Sequence, residues 1–453
     1  MNKRDSINSI NEDEKGGLNA YSLAGIGIGG IIGAGLFLGS SMAIRQAGPS
    51  VILAFLFGGL IMSQVLGAMT SISINRPVQG SFRVYTEELL GKFSGFVLGW
   101  IVFVSGILSL GSEAIAIGVF LKYFMPSIAP SVFAIVALII VIGINRLGTK
   151  YFGYIESIMA VIKIAIIAIF IFLGVFVIIK SGFLVRQNPF SNFHSFFANN
   201  ISGFLQSMLI VVFTYNGISA IAMATSEVRK PATEIPRATI IVTLGIIILY
   251  VISMLVIVST IEIESFNTNI SPFIQSLNKM GYGWASTLIN GVIVVAIFSV
   301  MIGTYYGCVQ ILVSLAGAGE APRFIGKSTL KGFYKYSWLA TGSIAVIVVL
   351  LGFAIGTKLF NYLVSSSSYF TFLNWSINLV TYIIWLKNRK EYEMHNSPLI
   401  KGRTGAIITI VVIIILTVIS LGVRDFRVGF YVALIITVII SVFYRFINVK
   451  RMF

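Results

Sequence analysis

The sequence predicts an all-α polytopic membrane protein with twelve transmembrane helices. Three observations predict it. The 453 residues are 57% hydrophobic and only 11% charged, more apolar sequence than a soluble core of this size uses. The apolar residues gather into twelve runs separated by polar loops, most of them long enough to cross a bilayer. The Lys and Arg residues also sort by loop: 23 lie in the two tails and every second loop, eight lie in the remaining loops, and Lys163 alone sits deep inside a run. That split places both termini in the cytoplasm of a multi-pass plasma-membrane protein. It also makes the net charge of +16 mostly a topology signal, so no nucleic acid partner is expected.

The runs lie at about 21–47, 51–74, 94–124, 131–145, 152–180, 201–224, 238–260, 283–317, 337–356, 359–386, 405–422 and 428–447. A polar cytoplasmic tail, 1–20, precedes them, and its acidic residues Glu12, Asp13 and Glu14 read as a solvated run. No cleavable signal peptide is apparent, because the first apolar run is too long for one. The loop at 75–93 holds a helical, interfacial stretch over 85–90, and 181–200 reads as an ordered cap or short helix. Residues 448–453 form a second cytoplasmic tail. Membrane lipids surround such a chain, which serves as a monomer or homodimer.

The first run departs from a plain membrane anchor. Seven of the sixteen residues over 25–40 are Gly, and each interior Gly weakens a helix by about 0.5–1 kcal/mol relative to Ala. Close packing of small residues is one use for them. A helix that breaks in mid-membrane is another, and irregular backbone is tolerated at that depth only where it lines a cavity or is buried in protein. The sixth run carries its own break signal, the turn dipeptide Asn216-Gly217 within Phe213-Thr-Tyr-Asn-Gly-Ile-Ser219. Runs 1 and 6 each open a set of five, about 21–180 and 201–386. Interrupted segments at corresponding places in two halves mark inverted repeats and a secondary transporter's binding site. The transport core is thus 21–386, and the helices over 405–447 stand outside the repeat.

The breaks suggest the chemistry of a ligand. If helix 1 resumes near Leu36, the N–H groups of Ala34, Gly35 and Leu36 face the gap, and a half-helix N-terminus suits a carboxylate. Carbonyls freed at Ile31 and between Phe213 and Asn216 suit an ammonium. Together they describe an α-amino acid zwitterion, with Thr214, Tyr215, Gly217 and Ser219 around it as pocket or gate. Phe213 and Tyr215 serve equally as an aromatic lid or as core packing.

Glu113, Glu156 and Lys163 are ionisable residues inside predicted spans, where a charge is costly unless paired or hydrated. Lys163 lies too deep to snorkel, and its ammonium can hold the place of a sodium ion or exchange a proton. Glu113 is a candidate for proton coupling or for a hydrogen-bond hub. Glu156 shares a helix face with Lys163, seven residues away, but reads as a cytoplasmic-end residue near Lys150. The single cysteine, Cys308, leaves no disulfide, and no metal cluster, cofactor motif or nucleophile–base pair is apparent.

At several places the sequence resembles the bacterial amino acid permeases of the amino acid–polyamine–organocation superfamily. Gly29-Gly-Ile-Ile-Gly-Ala-Gly-Leu-Phe-Leu-Gly39 is similar to that family's first-helix motif. Pro77-Val-Gln-Gly-Ser-Phe82 with Gly95-Phe-Val-Leu-Gly-Trp100, Glu227-Val-Arg-Lys-Pro231 with Ile235-Pro-Arg-Ala238, and Ser314-Leu-Ala with Ala321-Pro-Arg-Phe324 resemble its later signatures, in the same order. The resemblance covers nearly the whole chain. It implies a LeuT-like fold of two inverted five-helix repeats, with helices 1 and 6 broken at the midplane, and amino acid uptake often coupled to protons. It implies carboxylate contact at Gly33, Ala34 and Gly35, amine contact at Ile31, Phe213 and Asn216, and proton coupling at Lys163 and Glu113. Two positions depart from it. Ala68 and Ser219 stand where relatives often carry Glu, and the second loss argues against a cationic substrate.

The expectation is therefore a secondary active permease that imports a neutral α-amino acid by alternating access and proton symport, and not an enzyme. An amino acid exchanger and a nutrient-sensing receptor subunit on the same fold are the alternatives.

Overall fold

The computed structural model describes residues 18–76, 82–146, 152–182, 184–185, 188–225, 228–268, 270–329, 332–356 and 358–451. The acidic run at 12–14, the motif residues 77–81, Lys150, Arg186 and Glu227 lie outside the described residues.

Helix α1, Ala20–Ile31, begins where the Asn19 side chain accepts from the N–H of Ser22 and Glu234 accepts from the N–H of Ala20 at 2.7 Å. A carboxylate at that end suits the helix dipole. The helix stops because Ile32 turns to extended backbone, φ −79° and ψ 99°. The chain resumes one residue earlier than expected, as a π-helical turn over Gly35–Gly39, and runs into α2, Ser40–Ala47. In the second half, α9, Asn200–Thr214, ends at Tyr215, a 3-10 turn covers Asn216–Ile218, and α10, Ser219–Ala224, follows. Both interruptions read from the glycine run and the Asn-Gly dipeptide are present.

The rest of each half follows the same order. After the first break come α3 (Val51–Asn75, 25 residues), the short α4 (Phe82–Leu90), α5 (Lys92–Lys122, 31), α6 (Pro130–Asn145, 16) and α7 (Phe152–Ser181, 30). The turn α8, Phe193–Phe196, lies between the halves. After the second break come α11 (Pro231–Thr260, 30 residues), the short α12 (Pro272–Lys279), α13 (Gly283–Gly317, 35), α14 (Lys335–Ile355, 21) and α15 (Lys358–Asn388, 31). Corresponding helices pack together, α3 on α11 and α5 on α13. The last two helices, α16 (Gly402–Ser420) and α17 (Arg424–Arg451), lie against α15.

Nine stretches among the described residues are long and apolar enough to cross a membrane. Helix α15 is not one of them, because Ser365, Ser366, Ser367, Ser368, Asn374 and Asn378 line its buried side. Those groups bury inside protein rather than facing lipid, as polar residues in a membrane bundle do.

Salt bridges clamp the end of the bundle where α3 stops. Arg83 of α4 meets Glu320 at 2.6 Å and Glu87 at 2.9 Å, and both Arg83 and Glu320 side chains are buried. Arg76 bonds Glu88 at 2.6 Å and also Glu393, which accepts from Trp385 and the N–H of Lys390 as well. Burial pushes the Glu393 carboxyl up, yet the hydrogen bonds from Arg76 and its neighbours outweigh this and hold it below the ordinary value.

Candidate functional site

The two interruptions touch. A Cβ on Gly217 would lie 2.1 Å from the carbonyl oxygen of Gly30, and one on Gly35 would lie 2.9 Å from Cα of Thr214. Only glycine lets the backbones approach this closely. The breaks also leave backbone groups without helical partners, and these need partners once buried.

Three side chains from other helices supply them. The N–H of Ala34 donates to Oε2 of Glu113, on α5, at 2.9 Å. Nζ of Lys163, on α7, donates to the carbonyl of Gly29 at 2.6 Å and lies 3.6 Å from Oε1 of Glu156. The hydroxyl of Tyr250, on α11, is shared between the carbonyls of Ile31 at 3.4 Å and Thr214 at 3.5 Å. Lys163 is wholly buried, and Glu113 and Glu156 are 3% and 4% exposed. A carboxylate thus sits on the donor side of the first break, and an ammonium on its acceptor side.

The expected site residues divide around this centre. Gly33 and Ala34 lie under Glu113, since a Cβ on Gly33 would come 2.8 Å from its Oε1. Gly35 faces Phe213 and Thr214 instead. The N–H of Leu36, expected to face the gap, turns back to the carbonyl of Gly33 at 3.2 Å, a tight turn just before the π-helical bonding begins. The carbonyl of Ile31 is met by Tyr250 rather than left free. Thr214 hydrogen-bonds the carbonyl of Val211 at 2.6 Å, and the buried Tyr215 points its hydroxyl at the carbonyl of Phe55 at 2.8 Å, toward α3. Asn216, Gly217 and Ser219 are half-buried and border the second break.

Sequence reasoning missed Tyr250 and underrated Glu156. A lone Tyr in the middle of a 30-residue apolar helix was the available signal for the first. For the second it was the seven-residue spacing from Lys163; the structure takes Glu156 from the helix end into the buried pair. Among the described residues no group of His, Cys, Asp and Glu is arranged to hold a metal.

A cavity of about 890 Å³ opens on the side of the break away from α1. It reaches the π turn at Leu38 and α2 at Ser41, but not the glycines at 33 and 35.

A doubly repeated helical bundle whose two interrupted helices meet over buried opposite charges belongs to the secondary transporters. The comparisons make this specific. The family model for amino acid permeases matches residues 23–451. A Bacillus subtilis protein named "Uncharacterized amino acid permease YtnA" is 30% identical over 83% of this chain and 82% of its own. The γ-aminobutyric acid permease of Escherichia coli is 30% identical over 85% of this chain and 83% of its own. The crystal structure of MhsT in complex with L-phenylalanine superposes with a TM-score of 0.64 over 88% of this chain and 98% of that one. At 16% identity the last shows the fold, which is LeuT-like. The chain belongs to the amino acid permease family, within the amino acid–polyamine–organocation superfamily, and is a multi-pass membrane protein that transports amino acids.

Proposed function

We propose that the protein imports a neutral α-amino acid across the plasma membrane by alternating access, coupled to protons, with both termini in the cytoplasm. One observation carries this reading: the first break already binds a carboxylate, that of Glu113, at the N–H of Ala34. The substrate carboxylate takes over that donor, with Gly33 and Gly35 giving it room. Protonating Glu113 removes its charge and weakens its hold on Ala34, because charged acceptors bond about twice as strongly as neutral ones. Proton loading thereby frees the donor for the substrate, which is symport. Lys163 keeps the acceptor side of the break closed from behind. The substrate ammonium goes to carbonyls around Phe213 and Asn216.

The neutral preference is supported from two directions. Ser219 brings no anion to the second break. The cargoes in the relatives' names, γ-aminobutyric acid and, for a B. subtilis "Probable threonine/serine transporter" 28% identical over 89% of both chains, threonine and serine, are zwitterions without net charge.

The test is uptake of each of twenty labelled amino acids into proteoliposomes, with and without an inward proton gradient. Gradient-dependent accumulation of a neutral group is the expected result. Gradient-independent uptake that requires internal amino acid would replace symport with exchange. Binding without uptake would replace transport with sensing.

A further inference from the structure

The loop between α7 and α9 carries aromatic rings in place of charge. No Lys, Arg, Asp or Glu occurs from 187 to 226. The apolar stretch able to cross the membrane there runs from Phe193 to Ile221, so it begins inside the loop. A span needs about 20 residues. Helix α9 and the second break supply that many from Asn200 on, which leaves 193–199 apolar beyond what the crossing needs.

A chain of rings joins this loop to a lipid-facing helix. Phe57 of α3 is 47% exposed within a membrane span, a position that faces lipid. Its ring lies 6.2 Å from that of Phe204 on α9, Phe204 lies 5.9 Å from Phe197, and Phe197 lies 4.7 Å from Phe193 of α8. A branch continues from Phe197 through Phe196 to Phe190, at 5.1 and 5.9 Å. The far ends of the chain are bare, with Phe193 59% and Phe190 40% exposed. A cluster that served only as the loop's own core would turn its rings inward. This one ends outward, continuous with a face that the bilayer covers, and exposed apolar patches of this kind mark membrane contact. The same loop also holds the second half of the interrupted first helix. Nδ2 of Asn199 donates to the carbonyls of Arg45 at 2.8 Å and Gln46 at 3.1 Å, in the last turn of α2. A Cβ on Gly203 would lie 2.3 Å from the carbonyl oxygen of Gln46, so α9 touches α2 beside that clasp.

We propose that this loop is a membrane anchor whose partner is the lipid surface itself. Phe190 and Phe193 enter the near leaflet at the boundary between headgroups and acyl chains, as apolar faces of interfacial segments do. Asn199 passes that hold to the end of α2, so the bilayer steadies one half of the broken helix. The anchor goes beyond the transport reading and does not depend on it.

The test uses the full-length protein in vesicles of phosphatidylcholine and phosphatidylglycerol, with Cys308→Ser and a nitroxide on one introduced cysteine. Labels at Phe190→Cys and Phe193→Cys are compared with Phe57→Cys, on the span, and with Ser265→Cys, exposed in the loop between α11 and α12. Oxygen concentrates in the acyl region and a soluble nickel chelate stays in water, so the ratio of oxygen to nickel collisions at 190 and 193 should exceed that at 265 by about threefold or more. It should come close to the ratio at 57. A ratio at either position equal to that at 265 would overturn the proposal. Poor access to both reagents would also overturn it, since a protein partner or a second copy would then cover the rings. The two positions are labelled separately, so one reports if the other variant does not fold. A label at Arg45→Cys, which leaves the carbonyl bonded by Asn199 in place, should shift toward the mobile spectrum when Phe190→Ser and Phe193→Ser are added; an unchanged spectrum would overturn the hold on α2.

Discussion

The gap in the first helix is ringed by charge, and among the described residues the gap opened at Tyr215 is not. Glu113 answers the N–H of Ala34, and Lys163, backed by Glu156, answers the carbonyl of Gly29. Around the second gap stand Thr214, Asn216, Gly217 and Ser219, all small or neutral, with the buried Tyr215 pointing its hydroxyl to the carbonyl of Phe55 on α3. On the proposed reading the first gap receives the carboxylate that every amino acid carries. The second adds carbonyls for the ammonium, set among neutral and partly exposed residues where side chains can differ. A charged gap also needs charged partners, because a buried ion left alone is costly; a neutral gap can be closed by packing.

The largest effects should come from forcing the gaps apart. Gly217→Leu and Gly35→Leu each place a side chain into facing backbone, at 2.1 Å from Gly30 O and 2.9 Å from Thr214 Cα. Both should abolish substrate binding, read by radioligand assay on correctly folded protein. Retained binding in either would separate that gap from the site. Lys163→Ala tests the charged gap by itself. It strands Glu156, and breaking a buried pair costs about 3–5 kcal/mol. Uptake should be lost or cease to depend on the proton gradient, with a lowered Tm, and an unchanged gradient dependence would make Lys163 purely structural.

Ser219→Glu would make the second gap resemble the first in charge. The expected outcome is a shift toward cationic amino acids, measured as the ratio of lysine to neutral uptake; an unmoved ratio would place Ser219 outside the pocket. The smallest effect belongs to the group that spans both gaps. Tyr250→Phe removes two long hydrogen bonds, together about 1 kcal/mol, and should weaken binding about fivefold. A loss a hundred times larger would make Tyr250 a direct substrate ligand.

The helices were largely legible in the sequence, and the partners across the gaps were not. The apolar run 283–317 became α13 with the same bounds, and the interfacial stretch at 85–90 became α4, beginning at Phe82. Glycine density and one Asn-Gly dipeptide marked both breaks, because backbone propensity is local. The short α12 escaped notice although Ser271-Pro272 offers a start signal, since eight residues carry little periodicity. The bond from Ala34 to Glu113 spans 79 positions, and nothing in local spacing indicates it. The same holds for Tyr250, whose partners lie 219 and 36 positions away. Glu156 was legible in spacing but was outweighed by its closeness to a helix end.

The central claim is that the first gap holds the substrate by its carboxylate, in the place Glu113 occupies. Equilibrium binding of the transported amino acid and of its carboxamide, to the wild type and to Glu113→Ala, tests it most directly. The account predicts that the carboxamide binds the wild type at least a hundredfold more weakly, and that Glu113→Ala binds the amino acid more tightly than the wild type does. Equal binding of acid and amide, or a large loss of acid binding in Glu113→Ala, would contradict it.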